Sequence, residues 1–264
     1  MLKKQSTLWV LLGLASALPG LAQAPEGDAP IPVVAPGDDG LDGSFLEAFQ
    51  ARYAQKMVMG EESQDAGFRT IALVDARYPA GEGVRLMTTM VGQATVSDEV
   101  QMLRAGFAPV ARIVSSVQVM HQVQVYSEGK VQGYQIAKDG SEAQPIEIEI
   151  DGNRFDGASV DLVLTALPLS EGYRARLPVL STDFGPELAN LWCEVTVKGK
   201  ESVEAAGRTY EAWIVEKAFL DGEQKPLEIQ GQPMPTFTSW IASEPPYVVK
   251  ANFGPMQVEL VELQ

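Results

Sequence analysis

The sequence predicts a mainly β protein: one curved antiparallel sheet, a half-barrel or open barrel of about 11–12 strands, with a helix plugging its concave side and a short N-terminal helix. Three observations carry this. From Phe68 onward, apolar and polar residues alternate with period two, the mark of strands with one buried face. Gly-, Asn- and Asp-containing turns separate the alternating runs at short intervals. Beyond Phe68 one segment, near residue 160, switches to the helical period.

Taken in order, residues 1–22 read as a secretory leader. Lys3 and Lys4 form a positive start, Leu8 to Leu18 an apolar core, and Gly20-Leu21-Ala22 offers the small residues a signal peptidase needs. The mature chain is therefore expected to begin at Gln23. The apolar run is 11 residues, against roughly 20 needed to span a bilayer. Lipidation at the cleavage site needs a cysteine there, and the sole cysteine is Cys193. The expectation is a periplasmic or secreted protein that is not membrane-anchored.

Residues 23–43 are rich in Pro, Gly and Asp and read as a flexible lead-in, leaving 44–264 as one half-barrel domain. Ser44-Phe45-Leu46-Glu47 has the form of a capping box, so a short helix is expected there, continuing to a first strand somewhere in 51–60. Strands are expected at 68–76, 84–91, 96–103, 116–126, 131–138, 146–151, 173–180, 190–199, 208–219, 236–242, 247–253 and 256–263. Between them, Asp156-Gly157-Ala158-Ser159 followed by VDLVLTAL predicts a capped helix with Val160, Val163, Leu164 and Leu167 inward, stopped by Pro168.

Composition removes much chemistry. With 45% hydrophobic and 21% charged residues the chain is no disordered segment. One Cys and one His allow no internal disulfide, Cys/His zinc cage, CxxC pair or haem-attachment motif. Loss of the leader leaves 18 basic against 35 acidic residues, a net charge of −17. Such a field repels phosphate backbones, so no nucleic-acid partner is expected. No phosphate-binding, zinc-protease or serine-hydrolase motif is present. Glu147 and Glu149 share a strand face but alternate with three isoleucines, which reads as the wet side of a sheet rather than a glycosidase pair. Asp151, Asn153 and Asp156 only partly match a calcium loop. Cys193 alternates with Leu191, Val195 and Val197 and reads as a buried, inert thiol. No enzyme activity, cofactor or metal is expected.

The positive candidates lie in the expected interior. In SVQVMHQVQVY, Val119, His121 and Val123 share one face. His121 reads as a core side chain hydrogen-bonded to a neighbour, or as a polar handle inside a ligand cavity. Six methionines, among them Met90 and Met102, fall in the N-terminal strands, and Trp213 and Trp240 in the C-terminal ones. They read as core filling or as an adaptable pocket lining. With Leu164 of the plug helix, these eight residues form the candidate ligand-binding set.

Three blocks carry a family resemblance: FDGASVDLVLTALPLSEGYRARLPVL (155–180), VTVKGKESVEAAGRTYEAWIVE (195–216) and WIASEPPYVVKANF (240–253). Together they resemble a family of exported bacterial proteins of unknown function. The resemblance implies a curved antiparallel sheet similar to that of the lipoprotein carriers LolA and LolB, whose concave face receives acyl chains. Its matched residues are turn glycines, strand apolar positions and the Pro245-Pro246 corner, so it implies a scaffold and no catalytic residue. The function expected is an exported, non-catalytic protein that holds an apolar or amphipathic, lipid-like molecule in a half-barrel groove. The alternative is an envelope scaffold with a filled core and a protein partner.

Overall fold

A computed structural model describes residues 30–92, 95–116, 120–137, 139–182 and 188–264. The leader 1–22, the start of the lead-in and Val119 lie outside the described residues. From Ile31 to Gln264 the chain is one compact unit.

The main sheet is two meanders joined at the middle. In the first, β1 (Phe49–Met59), β2 (Glu62–Tyr78), β3 (Gly81–Val91), β4 (Thr95–Leu103), β5 (Pro109–Ser116), β6 (Met120–Ser127), β7 (Lys130–Ala137) and β8 (Gln144–Glu149) lie side by side in chain order. The chain then starts again at the other edge. There β9 (Phe155–Asp156), β10 (Arg174–Leu180), β11 (Asn190–Ala205), β12 (Arg208–Leu220), β15 (Phe237–Ala242), β16 (Val248–Phe253) and β17 (Met256–Leu263) return to the centre, where β17 pairs with β1. Pairing is antiparallel except between β9 and β10. A separate hairpin, β13 (Glu228–Ile229) and β14 (Gln232–Pro233), interrupts the second meander.

This is the curved, mainly β architecture expected, with fifteen strands in the main sheet. Strand β1 covers the first strand expected within 51–60 and starts earlier, and the strands of this sheet that were not expected are β5 and the two-residue β9. The N-terminal helix is not formed: the Ser44 hydroxyl and amide both bond to the Asp42 carboxylate, at 2.7 and 2.8 Å, so the side chain read as a cap closes a turn instead. Phe49, Ala51, Tyr53 and Gln55 then alternate inward as a strand. The lead-in is also tied down from Ile31 onward. Val33 bridges to Arg176, Leu41 is buried, and Arg104 donates to the carbonyls of Gly43 and Leu46.

The sheet's backbone ladder stays open between β8 and β9, yet its two ends meet through side chains. Ile148 of β8 packs with Leu180 and Ala189, Asn190 donates to the Glu149 carbonyl at 3.0 Å, and Gln124 donates to Thr182 at 2.8 Å. Only five residues, 150–154, separate the edge strands in sequence, so curling follows from the short connection. The plug is shorter than expected: a 3-10 turn, Gly157–Ser159, leads into α1 (Val160–Leu164). Asp156 caps it, accepting from the Ala158 amide at 2.8 Å. Val160, Val163, Leu164 and Leu167 are all buried in the main core, with Phe49, Leu73, Met102, Val195 and Val258 from both meanders.

One face is the reverse of the alternation reading. Arg112 stands opposite Gln124 in the β5–β6 ladder and turns inward to Asp98. That register puts Gln122, Gln124 and Tyr126 on the concave side and His121, Val123 and Val125 on the convex side, since successive side chains of a strand point to opposite faces and the β6 ladders carry no bulge. Gln124 is 0% exposed and Val125 51%. The polar side chains of β6 are inside because the wall they meet is polar.

Candidate functional site

The concave wall is built from every second residue of the central strands. Tyr53 of β1 lies opposite Arg69 of β2, and Arg69 opposite Met90 of β3. Ile71 lies opposite Thr88. Across the β1–β17 and β16–β17 ladders, Val258 faces Gln55 and Ala251. Beneath α1 these strands leave a cavity of about 80 Å³, lined by Phe49, Tyr53, Arg69, Ile71, Leu86, Thr88, Phe253 and Val258 from the sheet and by Ala158, Asp161 and Leu162 from the plug. Most of this wall is apolar. Two of its members carry opposite charges.

Asp161 anchors the plug. It accepts from Lys217 of β12 in a short ion pair and from Ser239 of β15 at 2.9 Å. Lys217 also lies 5.2 Å from the Phe253 ring centre, and Arg69 approaches the same ring at 5.3 Å, so one aromatic ring meets two cations. Arg69 differs from Lys217 in lacking a carboxylate partner among the described residues. Its Nη2 meets only the Met90 sulfur, at 3.5 Å, and its Nε is buried with no partner. Burial lowers the pKa of this guanidinium, while the Asp161, Tyr53 and Asp98 charges oppose that shift. The Tyr53 hydroxyl is committed to the Val248 carbonyl at 2.8 Å, and burial pushes its pKa well up.

A second polar cluster lies toward the seam. Arg112 grips Asp98 with two bonds of 3.0 and 2.8 Å and lies 4.0 Å from Asp156. Asp156 also takes the Tyr126 hydroxyl. Burial raises the Asp156 carboxyl above its usual range against the opposing pull of Arg112 and Tyr126. All these groups are paired, so this cluster reads as a structural tie.

The sequence-predicted residues do not converge on one pocket. Met102 and Leu164 are fully buried in the main core. Met90 reaches the cavity's edge through Arg69. His121 and Val123 are on the convex face, where His121 Nδ1 is 2.7 Å from the Ser115 hydroxyl. Trp213 is half-buried under Lys200, 5.4 Å away. Trp240 is buried in the main core opposite Lys250, which covers its ring at 4.8 Å, and its indole donates to Glu201 at 2.5 Å. Cys193 is buried, and burial pushes its thiol up to about 12. Glu147 and Glu149 are exposed.

The residues missed were Arg69, Asp161 and Lys217. A signal for them exists: Arg69 shares a face with Ile71 and Leu73, and Lys217 with Val215 and Phe219. A lone charge on an apolar face is costly to bury, so it marks either a partner or a site.

A larger opening, about 440 Å³, lies around the β1 bulges and is lined by Arg52, Lys56, Asp65, Phe68 and Val261 among others. Arg52 and Lys56 are exposed, so this is a wet surface groove. No helix of the described residues is long and apolar enough to cross a membrane.

The family DUF3108, described as a protein of unknown function, matches residues 52–261. No curated protein matches the chain. Among solved structures, the chain is similar to a protein of Bacteroides fragilis described as inferred to be exported and as having a YmcC-like fold. Identity is 9% and the TM-score 0.33, over 83% of this chain and 96% of that one.

Proposed function

We propose, for a chain that belongs to the DUF3108 family of proteins of unknown function, that it is an exported, non-catalytic binding protein for a small amphipathic molecule. The observation that carries this reading is the cavity under α1, whose largely apolar wall includes Arg69, a cation with a buried Nε that has no partner. Export is read from the leader.

Size sets the form of the ligand. Pockets that enclose a drug-sized ligand run from about 300 to 1,000 Å³, and this one is about 80 Å³. It takes one end of a molecule. A longer acyl chain needs the plug to move, and the plug is held by side chains rather than by ladder hydrogen bonds. The same small volume favours a second reading, an envelope scaffold with a packed core.

Native mass spectrometry of protein purified from an exporting host, followed by solvent extraction, separates the two. A stoichiometric small amphiphile supports the binding reading. Unliganded mass with an empty extract, in protein that also fails to take up an apolar dye, removes it in favour of the scaffold.

A further inference from the structure

We infer that the cavity at Arg69 is a site for an anionic oxygen head group, a carboxylate or a phosphate monoester, on the molecule bound there. This rests on the binding reading above for the apolar remainder of the ligand.

A guanidinium carries five N–H donors and cannot shed its charge at ordinary pH. Burying one without an anion is costly, and two parallel bonds to an oxyanion are the strongest compensation available. Arg69 has a thioether, an aromatic face and no acid in its hydrogen-bonding reach among the described residues. The nearest candidate acid, Asp161, is already shared by Lys217 and Ser239. Arg69 in the cavity wall and Lys217 behind it therefore have the one Asp161 carboxylate between them. Thr88 lines the same space and offers a hydroxyl.

The volume agrees with such a guest. A water occupies about 30 Å³ of liquid, so about 80 Å³ holds two or three waters, or one carboxylate or phosphate in their place. Phe49, Ile71, Leu86 and Val258 would then meet the first carbons of the tail.

The test is isothermal titration of the mature protein with sodium octanoate, 1-octanol, sodium acetate and sodium phosphate, in wild type, Arg69→Gln and Arg69→Lys. Octanoate should bind wild type about tenfold or more tighter than octanol, as a charged hydrogen bond allows. Arg69→Gln should abolish that preference and Arg69→Lys retain part of it. Thr88→Val leaves the charge in place and should weaken octanoate but not octanol, which keeps the test open should Arg69→Gln fail to fold by circular dichroism. Equal binding of octanoate and octanol by all variants overturns the head-group site and leaves the amphiphile reading intact. Arg69-dependent binding of acetate or phosphate alone keeps the anion site and removes the amphiphile. No binding by any probe overturns the inference.

Discussion

Tyr126 on β6 donates its hydroxyl hydrogen to the Asp156 carboxylate on β9, and these strands lie near opposite ends of a fifteen-strand ladder. The same carboxylate caps the turn that begins the plug. One side chain thus ties the first meander, the second meander's edge and the crossing between them, where no backbone pairing does so. Closure of the curved sheet is a matter of side-chain chemistry at this seam.

Tyr126→Phe should therefore cost about 1.5–3 kcal/mol, the usual worth of a hydrogen bond to a charged group. Urea denaturation should show the midpoint fall with an unchanged slope. A loss below about 0.5 kcal/mol, the range of ordinary surface changes, would mean that the Val131, Ile148, Leu180 and Ala189 cluster holds the seam unaided.

Asp156 should also leave a mark on the pH dependence of stability. Burial, opposed by Arg112 and Tyr126, raises its folded pKa above the unfolded value. The folded state then binds the proton more tightly, so the stability gained from this group is complete below the unfolded pKa and is lost as pH rises through the folded one. Asp156→Asn fixes the side chain neutral. Its penalty relative to wild type should shrink between pH 4 and pH 7 in urea unfolding; a penalty that grows with pH would show Asp156 to be stabilised as the anion.

Glu194 works in the opposite direction. Burial alone would raise its pKa, but hydrogen bonds from Arg174 and Arg176, both at 2.9 Å, outweigh that and hold it below the usual carboxylate range. Its contribution is present above the unfolded pKa and is lost as pH falls through the folded one. Glu194→Gln should destabilise at pH 7 and become indistinguishable from wild type once wild-type Glu194 is protonated, measured on the same unfolding series.

Alternation and turn chemistry made the strands legible, because a period-two pattern reports that one face is buried. They did not report which face. In β6 the valines looked like the core and the glutamines like the surface, yet Gln124 is sealed inside and Val125 is half-exposed. The face was decided by Arg112 on β5, separated from β9 across the seam by β6, β7 and β8, through contacts with Asp98 and Asp156 that no local pattern contains. The cavity was illegible for the same reason. Arg69, Asp161 and Lys217 are far apart in sequence, and only the return of the second meander brings them together. The helix at 44 failed locally, because Asp42 competes for the hydroxyl of Ser44.

A paired substitution checks that assignment of faces. Val125→Thr, on the convex side, should change stability by less than about 0.5 kcal/mol. Gln124→Ala removes a buried bond to Thr182 and leaves that hydroxyl with one partner fewer, at a cost of about 1–3 kcal/mol. The reverse ranking in urea denaturation would place the valine face inside.

Lys217 and Asp161 allow the plug tie and the ligand site to be separated. Lys217→Met breaks a pair whose lysine is 4% exposed, so the loss should be near the lower end of the 3–5 kcal/mol range for broken buried pairs. Asp161→Asn breaks the same pair and should destabilise comparably. Their effects on octanoate should be opposite in sign. Without Lys217, Asp161, the charge that acts most strongly on Arg69, is free to neutralise it, so octanoate weakens; without the Asp161 carboxylate, Arg69 loses that opposing charge and octanoate tightens. Titration of both variants beside their unfolding curves checks this. If binding falls in parallel with stability in the two, the cavity responds only to how firmly α1 is held, and the charge of Arg69 plays no part in it.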